Sequence, residues 1–186
     1  MHEDILDFNY EDDYQERSIQ YAGFWTRVGA SLVDALVFIP LSILSVYNTL
    51  SIKSLLFELV ILIIYVGYKP LLEYNYGATL GKMAVRIKVI DIAGGPIDAQ
   101  QAIIRNIPYL LAASLSMITT IALHFRTSFD EVDSFAEYNR LMEQTGYPLI
   151  SALVNCFLFI SCLVVAFHKK RQALHDMMAQ TYCIDA

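Results

Sequence analysis

FWTRVGASLVDALVFIP, residues 24–40, reads as the start of a membrane helix with one carboxylate inside it. Asp34 stands among apolar residues, and Arg27 precedes it by two helical turns on the same face. An acidic side chain deep in a bilayer costs about 2.5–3.5 kcal/mol on insertion scales. Counted from Trp25 at the interface, a rise of about 1.5 Å per residue sets Asp34 roughly 13 Å deep. That is near the middle of a hydrocarbon core about 30 Å thick. Such a carboxylate is protonated, paired or hydrated by a cavity. Arg27 reaches it only if both side chains bend, and Arg105 is a second candidate partner. Asp34 then has two readings: a polar pin between helices, or a carboxylate that binds a cation or proton in alternation.

The rest of the chain agrees with a lipid solvent. Its 186 residues are 56% hydrophobic, with a mean hydropathy of +0.44, more apolar than a soluble domain of this size. Four stretches reach the about 20 apolar residues that a span needs: Val28–Val46, Leu55–Leu72, Ile107–Leu123 and Pro148–Phe167. The fold class expected is an all-α membrane protein of four transmembrane helices. Residues 1–22 are acidic, without a basic-then-apolar signal pattern, and are expected to form a mobile segment ahead of a transmembrane domain over 23–184.

Lys and Arg set the orientation. Arg17 and Arg27 precede the first span, Lys69, Lys82, Arg86, Lys88 and Arg105 cluster between the second and third, and Lys169, Lys170 and Arg171 follow the fourth. Only Lys53, Arg126 and Arg140 fall in the other two loops. The positive-inside rule counts these residues rather than net charge, so the formal −6 is no obstacle. Both termini and the middle loop are expected on the cytoplasmic side. The link near residues 48–54 is a tight outer turn, so the first two spans should be an antiparallel pair. The outer loop before the fourth span is acidic.

The middle loop carries a second signal. Thr79 can cap a short helix with Leu80, Met83, Ala84 and Ile87 on its apolar face. The pattern then alternates at Val85, Ile87 and Val89, followed by AGGP as a turn, which predicts a β-hairpin. Lys82, Arg86 and Lys88 suit anionic lipid heads, each worth about 1 kcal/mol. In the tail, Ala173, Leu174, Met177 and Met178 share a helical face, and TYCI can add an edge to the hairpin.

Glu73 closes the second span and reads either as an interfacial partner of Lys69 or as a wall of a polar vestibule with Arg27, Lys82 and Asp176. His175 and Asp176 are adjacent, so they do not have the i, i+3 or i+4 spacing of a metal site. Asp176 is expected to lock the tail onto Arg27 or Lys82, with His175 tuning that contact. Asn155 reads as interhelical glue, and Glu58 is given no role. Cys156, Cys162 and Cys183 suggest no disulfide framework. No nucleophile elbow, P-loop or dinucleotide fingerprint is present, so neither enzyme nor cofactor is expected. The basic loop follows from its cytoplasmic side and does not argue for nucleic acid.

Arg27 with Asp34 two turns on, LLEYNYGATLGKMAVRIKVIDIAGGPI (71–97), AIIRN (102–106) and RQALHDMMAQTYCI (171–184) together resemble the RDD family of small membrane proteins. The resemblance covers Gly23 to Ile184, and maps the family's arginine and two aspartates to Arg27, Asp34 and Asp176. It implies a bacterial-type inner-membrane protein without enzymatic activity. Relatives are described as transporters, with cation–proton exchange proposed for some, while others act as subunits of membrane complexes. Three spans are common in the family, against four here. Transport through so thin a bundle calls for a homo-oligomer. The alternative is a non-transporting subunit or scaffold, in which the polar cluster of Arg27, Asp34 and Asp176, supported by Glu73, Lys82, Arg105 and His175, only shapes the fold.

Overall fold

The computed structural model describes residues 20–126, 129 and 132–186. The acidic segment expected to be mobile lies outside these residues as far as residue 19. Four helices are long and apolar enough to cross a membrane. Helix α1 spans Phe24–Tyr47 and runs on as a π-helical turn, Asn48–Ile52. Helix α2 spans Leu55–Tyr76, followed by the short α3, Leu80–Ala84, and strand β1, Ile87–Asp91. The third long helix, α4, spans Ala99–His124. A short α5, Phe135–Glu143, precedes the fourth long helix, α6, Tyr147–Phe167. The chain closes with α7, Leu174–Met178, and β2, Thr181–Asp185.

Local chemistry sets the helix ends. Ser54 accepts the Phe57 N–H at 3.3 Å, and Thr79 accepts the Lys82 N–H at 3.3 Å, as side-chain caps do. Asp98 and Gln101 form a reciprocal capping box at the start of α4. This start lies well before the apolar run that marks the span at Ile107. Hydropathy misses those turns because Arg105 and Asn106 face inward and are buried.

The long helices turn Leu32, Ile63, Leu111 and Leu149 outward, each more than 60% exposed. Such faces are stable only against lipid or another apolar surface. α2 packs most extensively on α4, and α1 on the small α3, so the first two spans touch each other less than their short connection suggests. A compact apolar core sits instead at one end of the bundle, the cap end. There Ala22, Ala30, Ile87, Val89, Ala102 and Cys183 pack together. A second cluster, Leu123, Phe129 and Val132 with Leu50 and Tyr138, closes the far end.

The two-stranded sheet of the cap corrects the hairpin expectation. β1 does not fold back on a neighbour beyond AGGP; it pairs antiparallel with β2, Val89 opposite Cys183. The Ala93–Pro96 turn instead returns the chain toward α4, with the Asp91 N–H bonded to Gly95 O at 2.9 Å. TYCI is thus the main partner of β1 rather than an added edge. Residues 20–22 join the other side of β2, through Ala22 N–H to Cys183 O at 2.9 Å and a bridge between Tyr21 and Ile184. Gly77 makes the junction possible. It ends α2 at φ +70°, and a Cβ there would lie 2.7 Å from the Lys88 side chain.

Candidate functional site

Where the cap meets the bundle, charged side chains from five elements form one chain of alternating sign. Arg27 of α1 reaches Asp176 of α7, Nη1 to Oδ2 at 2.5 Å. Its other donors bond Arg171 O at 2.7 Å and Ala22 O at 3.3 Å. Arg105 of α4 lies between two carboxylates. Its Nε is 3.1 Å from Glu73 Oε2, and its Nη1 is 2.9 Å from Asp176 Oδ1 and donates to Thr181 Oγ1 at 2.5 Å. Glu73 of α2 also pairs with Lys82 and accepts from Asn106 Nδ2 at 3.1 Å. The sequence Arg27–Asp176–Arg105–Glu73–Lys82 thus ties both ends of the domain to three spans.

Asp176 is fully buried, and its Oδ2 also accepts the Ala173 N–H at 3.1 Å, the return half of a capping box. Burial pushes its carboxyl up, but the charges of Arg105 and Arg27, joined by His175 once acid protonates it, outweigh this and hold it far below the usual carboxylate range. His175 bonds Ser161 of α6 through Nδ1 at 3.0 Å, while its Nε2 lies 3.4 Å from Asp176 Oδ1. A quarter of its side-chain surface opens to the cavity (26% exposed), yet most of the ring is enclosed by protein. Burial pushes its imidazole down to about 4 against the opposing pull of Asp176, so it is neutral at pH 7.

Asp34 stands apart from this chain, which corrects both expected pairings. Neither Arg27 nor Arg105 contacts it. Its partners are neutral: Tyr68 OH at 2.7 Å, Thr79 Oγ1 at 2.7 Å and the Gly81 N–H at 2.7 Å. These fill three of a carboxylate's about four acceptor positions. The carboxylate therefore receives the first turn of α3 and pins it on α1. Gly81 is required for this approach. A Cβ there would lie 2.0 Å from Ala30 O and 2.7 Å from the Asp34 carboxylate.

These side chains surround a cavity of about 270 Å³, lined by Arg27, Asp34, Lys69, Glu73, Lys82 and Arg105 among others. All the predicted site residues are brought together, with Asp176 directly behind the wall. Lys69 does not pair with Glu73. Its ammonium sits 5.0 Å over the Tyr109 ring, and among the described residues no carboxylate lies within ion-pair distance of it. Beyond Tyr109 a second cavity of about 420 Å³ opens at the far end, lined by Ser45, Glu58, Tyr65, Asn155 and Leu158 among others. Tyr109 and Leu158 border both. Phe38, Tyr65, Tyr68 and Tyr109 form the intervening layer, where Tyr109 donates to Tyr65 O at 2.6 Å and neighbouring rings stand 4.4–5.5 Å apart.

Tyr68, Asn106, Ser161 and Thr181 complete the site and are not singled out by the sequence. Only Asn106, adjacent to Arg105, carries a local hint. Glu58, given no role, turns out to accept Ser45 Oγ at 2.6 Å and Asn48 Nδ2 at 3.0 Å. Asn155, expected to join helices, lines the far-end cavity. Among the described residues no three His, Cys, Asp or Glu side chains are placed to hold a metal.

The RDD family model matches residues 21–180, nearly all of the described chain and all of the cavity-forming elements except β2. No curated protein and no solved structure matches the chain.

Proposed function

This chain belongs to the RDD family of membrane proteins, and from that premise we propose that it transports small monovalent cations in exchange for protons. In this reading it is a homo-oligomer of a bacterial inner membrane, with the cap and both termini in the cytoplasm. One observation carries the reading: two cavities at opposite ends of the bundle, each bordered by charged or hydroxyl-bearing side chains, meet at a single aromatic layer built on Tyr109. Two vestibules with one barrier between them suit alternating access. Lys69 stands at that barrier without a carboxylate partner among the described residues. Repulsion between its charge and an incoming cation couples proton release to cation movement. Asp34, already held by three donors, serves as frame rather than carrier.

The test is uptake of ²²Na⁺ or ⁸⁶Rb⁺ into proteoliposomes containing only this chain, with and without a pH gradient. Gradient-driven uptake with matching proton movement is expected, reduced in Lys69→Gln. A folded wild type that moves neither ion overturns the proposal. Orientation is tested separately, by labelling single cysteines in a background lacking Cys156, Cys162 and Cys183. Lys88→Cys should react from the cytoplasmic side and Asp133→Cys from the other. The reverse pattern overturns the assignment.

A second reading, a non-transporting subunit or scaffold, is favoured by a different observation. Each ion of the chain from Arg27 to Lys82 already has its countercharge, as a purely structural lock would. A stable, flux-silent wild type that co-purifies stoichiometrically with another membrane protein supports it.

A further inference from the structure

The far-end cavity holds one carboxylate that nothing in the RDD cluster explains. Glu58 lies in the first turn of α2, where its two oxygens accept from Ser45 and Asn48. Asn48 is itself buried and fixed, because it bonds Ser54 O at 3.0 Å and accepts the Ser54 N–H at 3.1 Å. It sits on the π-helical turn that ends the first span, an irregularity that recurs at functional sites. Glu58 is thus held by neutral donors. Among the described residues no Lys, Arg or His side chain reaches it within ion-pair distance. Of the other two carboxylates lining the cavities, Glu73 pairs with Lys82 and Arg105, and Asp34 has three donors. Glu58 has two donors, unused acceptor positions and an open cavity beside it.

The remaining wall is neutral, part of it apolar and part carrying oxygens from Ser42, Ser116, Tyr147, Ser151 and Asn155. A space of about 420 Å³ admits an ion with several waters of about 30 Å³ each. We propose that this cavity binds one alkali-metal cation, with Glu58 as its countercharge. A single carboxylate among hydroxyl and amide oxygens balances one positive charge. A divalent ion draws on more carboxylate ligands, and no three acidic, His or Cys side chains converge among the described residues. The cap-end cavity is the poorer holding site, since Arg27, Lys69, Lys82 and Arg105 all border it. The acidic Asp133, Glu137 and Glu143, against Arg140, raise the local cation concentration at the far end. The site deepens the transport reading by placing its ion on the far side of the Tyr109 layer.

Two measurements on the detergent-purified full chain test it. Scintillation-proximity binding of ²²Na⁺ or ⁸⁶Rb⁺ should saturate at one ion per chain and weaken by about tenfold or more in Glu58→Gln. Glu143→Gln, outside the cavity, should bind as wild type does. Wild-type binding to Glu58→Gln, or no saturable binding of either ion to folded wild type, overturns the site. If Glu58→Gln does not fold, carbodiimide modification of Glu58 in the wild type carries the test. Na⁺ or Rb⁺, but not N-methylglucamine, should slow it, and equal rates in all three salts overturn the site. Binding without flux refutes transport alone. Flux with binding unchanged in Glu58→Gln refutes the site alone.

Discussion

Arg27 and Asp176 meet at 2.5 Å across 149 positions of chain, so the first span is clamped to the tail helix by one ion pair. Asp176 is fully buried and, among the described residues, keeps Arg105 as its close cation if Arg27 is lost. Breaking a buried pair from one side costs about 3–5 kcal/mol. The retained Arg105 puts Arg27→Ala at the lower end, about 3 kcal/mol, read as a fall in melting temperature in detergent. Arg27→Lys should recover part of it, since one ammonium cannot also reach Arg171 O and Ala22 O. A melting temperature unchanged in Arg27→Ala would show that the pair does not clamp the tail.

Gly81 and Gly95 offer a matched comparison. A methyl group at Gly81 collides with Ala30 O and Asp34, whereas one at Gly95 meets nothing within 4 Å. Gly81→Ala should therefore lift α3 from α1 and destabilise by about 1–3 kcal/mol or more, the usual cost of overpacking. Gly95→Ala should stay within about 0.5 kcal/mol. Equal melting temperatures for the two variants would contradict the close approach.

Asp34→Asn distinguishes a pin from a carrier. The amide keeps the shape but presents an NH₂ where Tyr68, Thr79 and Gly81 all donate. Oδ1 can keep Tyr68 and Gly81, but the NH₂ then meets Thr79, whose hydroxyl must turn round to accept, and every bond loses a charged acceptor, which is worth about 1.5–3 kcal/mol. We expect the melting temperature to drop accordingly. A variant as stable as wild type that has lost cation flux would make Asp34 the carrier instead.

His175 gives the cap a defined acid sensitivity. Its imidazole is held near 4 in the folded chain, against about 6.5 when unfolded. A depressed histidine leaves the unfolded state binding more protons, so stability is full above about 6.5 and falls as pH drops toward 4. Asp176, held far below its usual range, loses its contribution only below about pH 3.9. His175→Gln should flatten the melting-temperature profile between pH 6.5 and 4 while leaving the slope at lower pH. An unchanged profile would mean that other groups set it.

Much of the frame is legible without coordinates. The apolar runs mark four spans, Thr79 marks the start of α3, and alternation at Ile87 and Val89 marks β1. Arg27, Glu73, Lys82, Arg105 and Asp176 can also be gathered at one end of the bundle, because the ends of the spans place them there. Each of these is a local property, written in hydropathy, capping residues or periodicity over a few turns.

Who pairs with whom was decided only by the tertiary structure. Arg27 stands two turns from Asp34 in sequence, yet it binds Asp176, because α7 folds back beneath α1 while α3 covers Asp34 with neutral donors. β1 takes β2 instead of a local return strand for the same kind of reason. The role of Glu58 emerges only once the π-helical turn brings Asn48 alongside it. A charge acts over a few ångströms in three dimensions, and burial removes the water that would otherwise screen a wrong choice. Chain proximity fixes neither quantity, so the pattern of residues dictates the helices and their caps, and the packing of distant segments assigns the charges their partners.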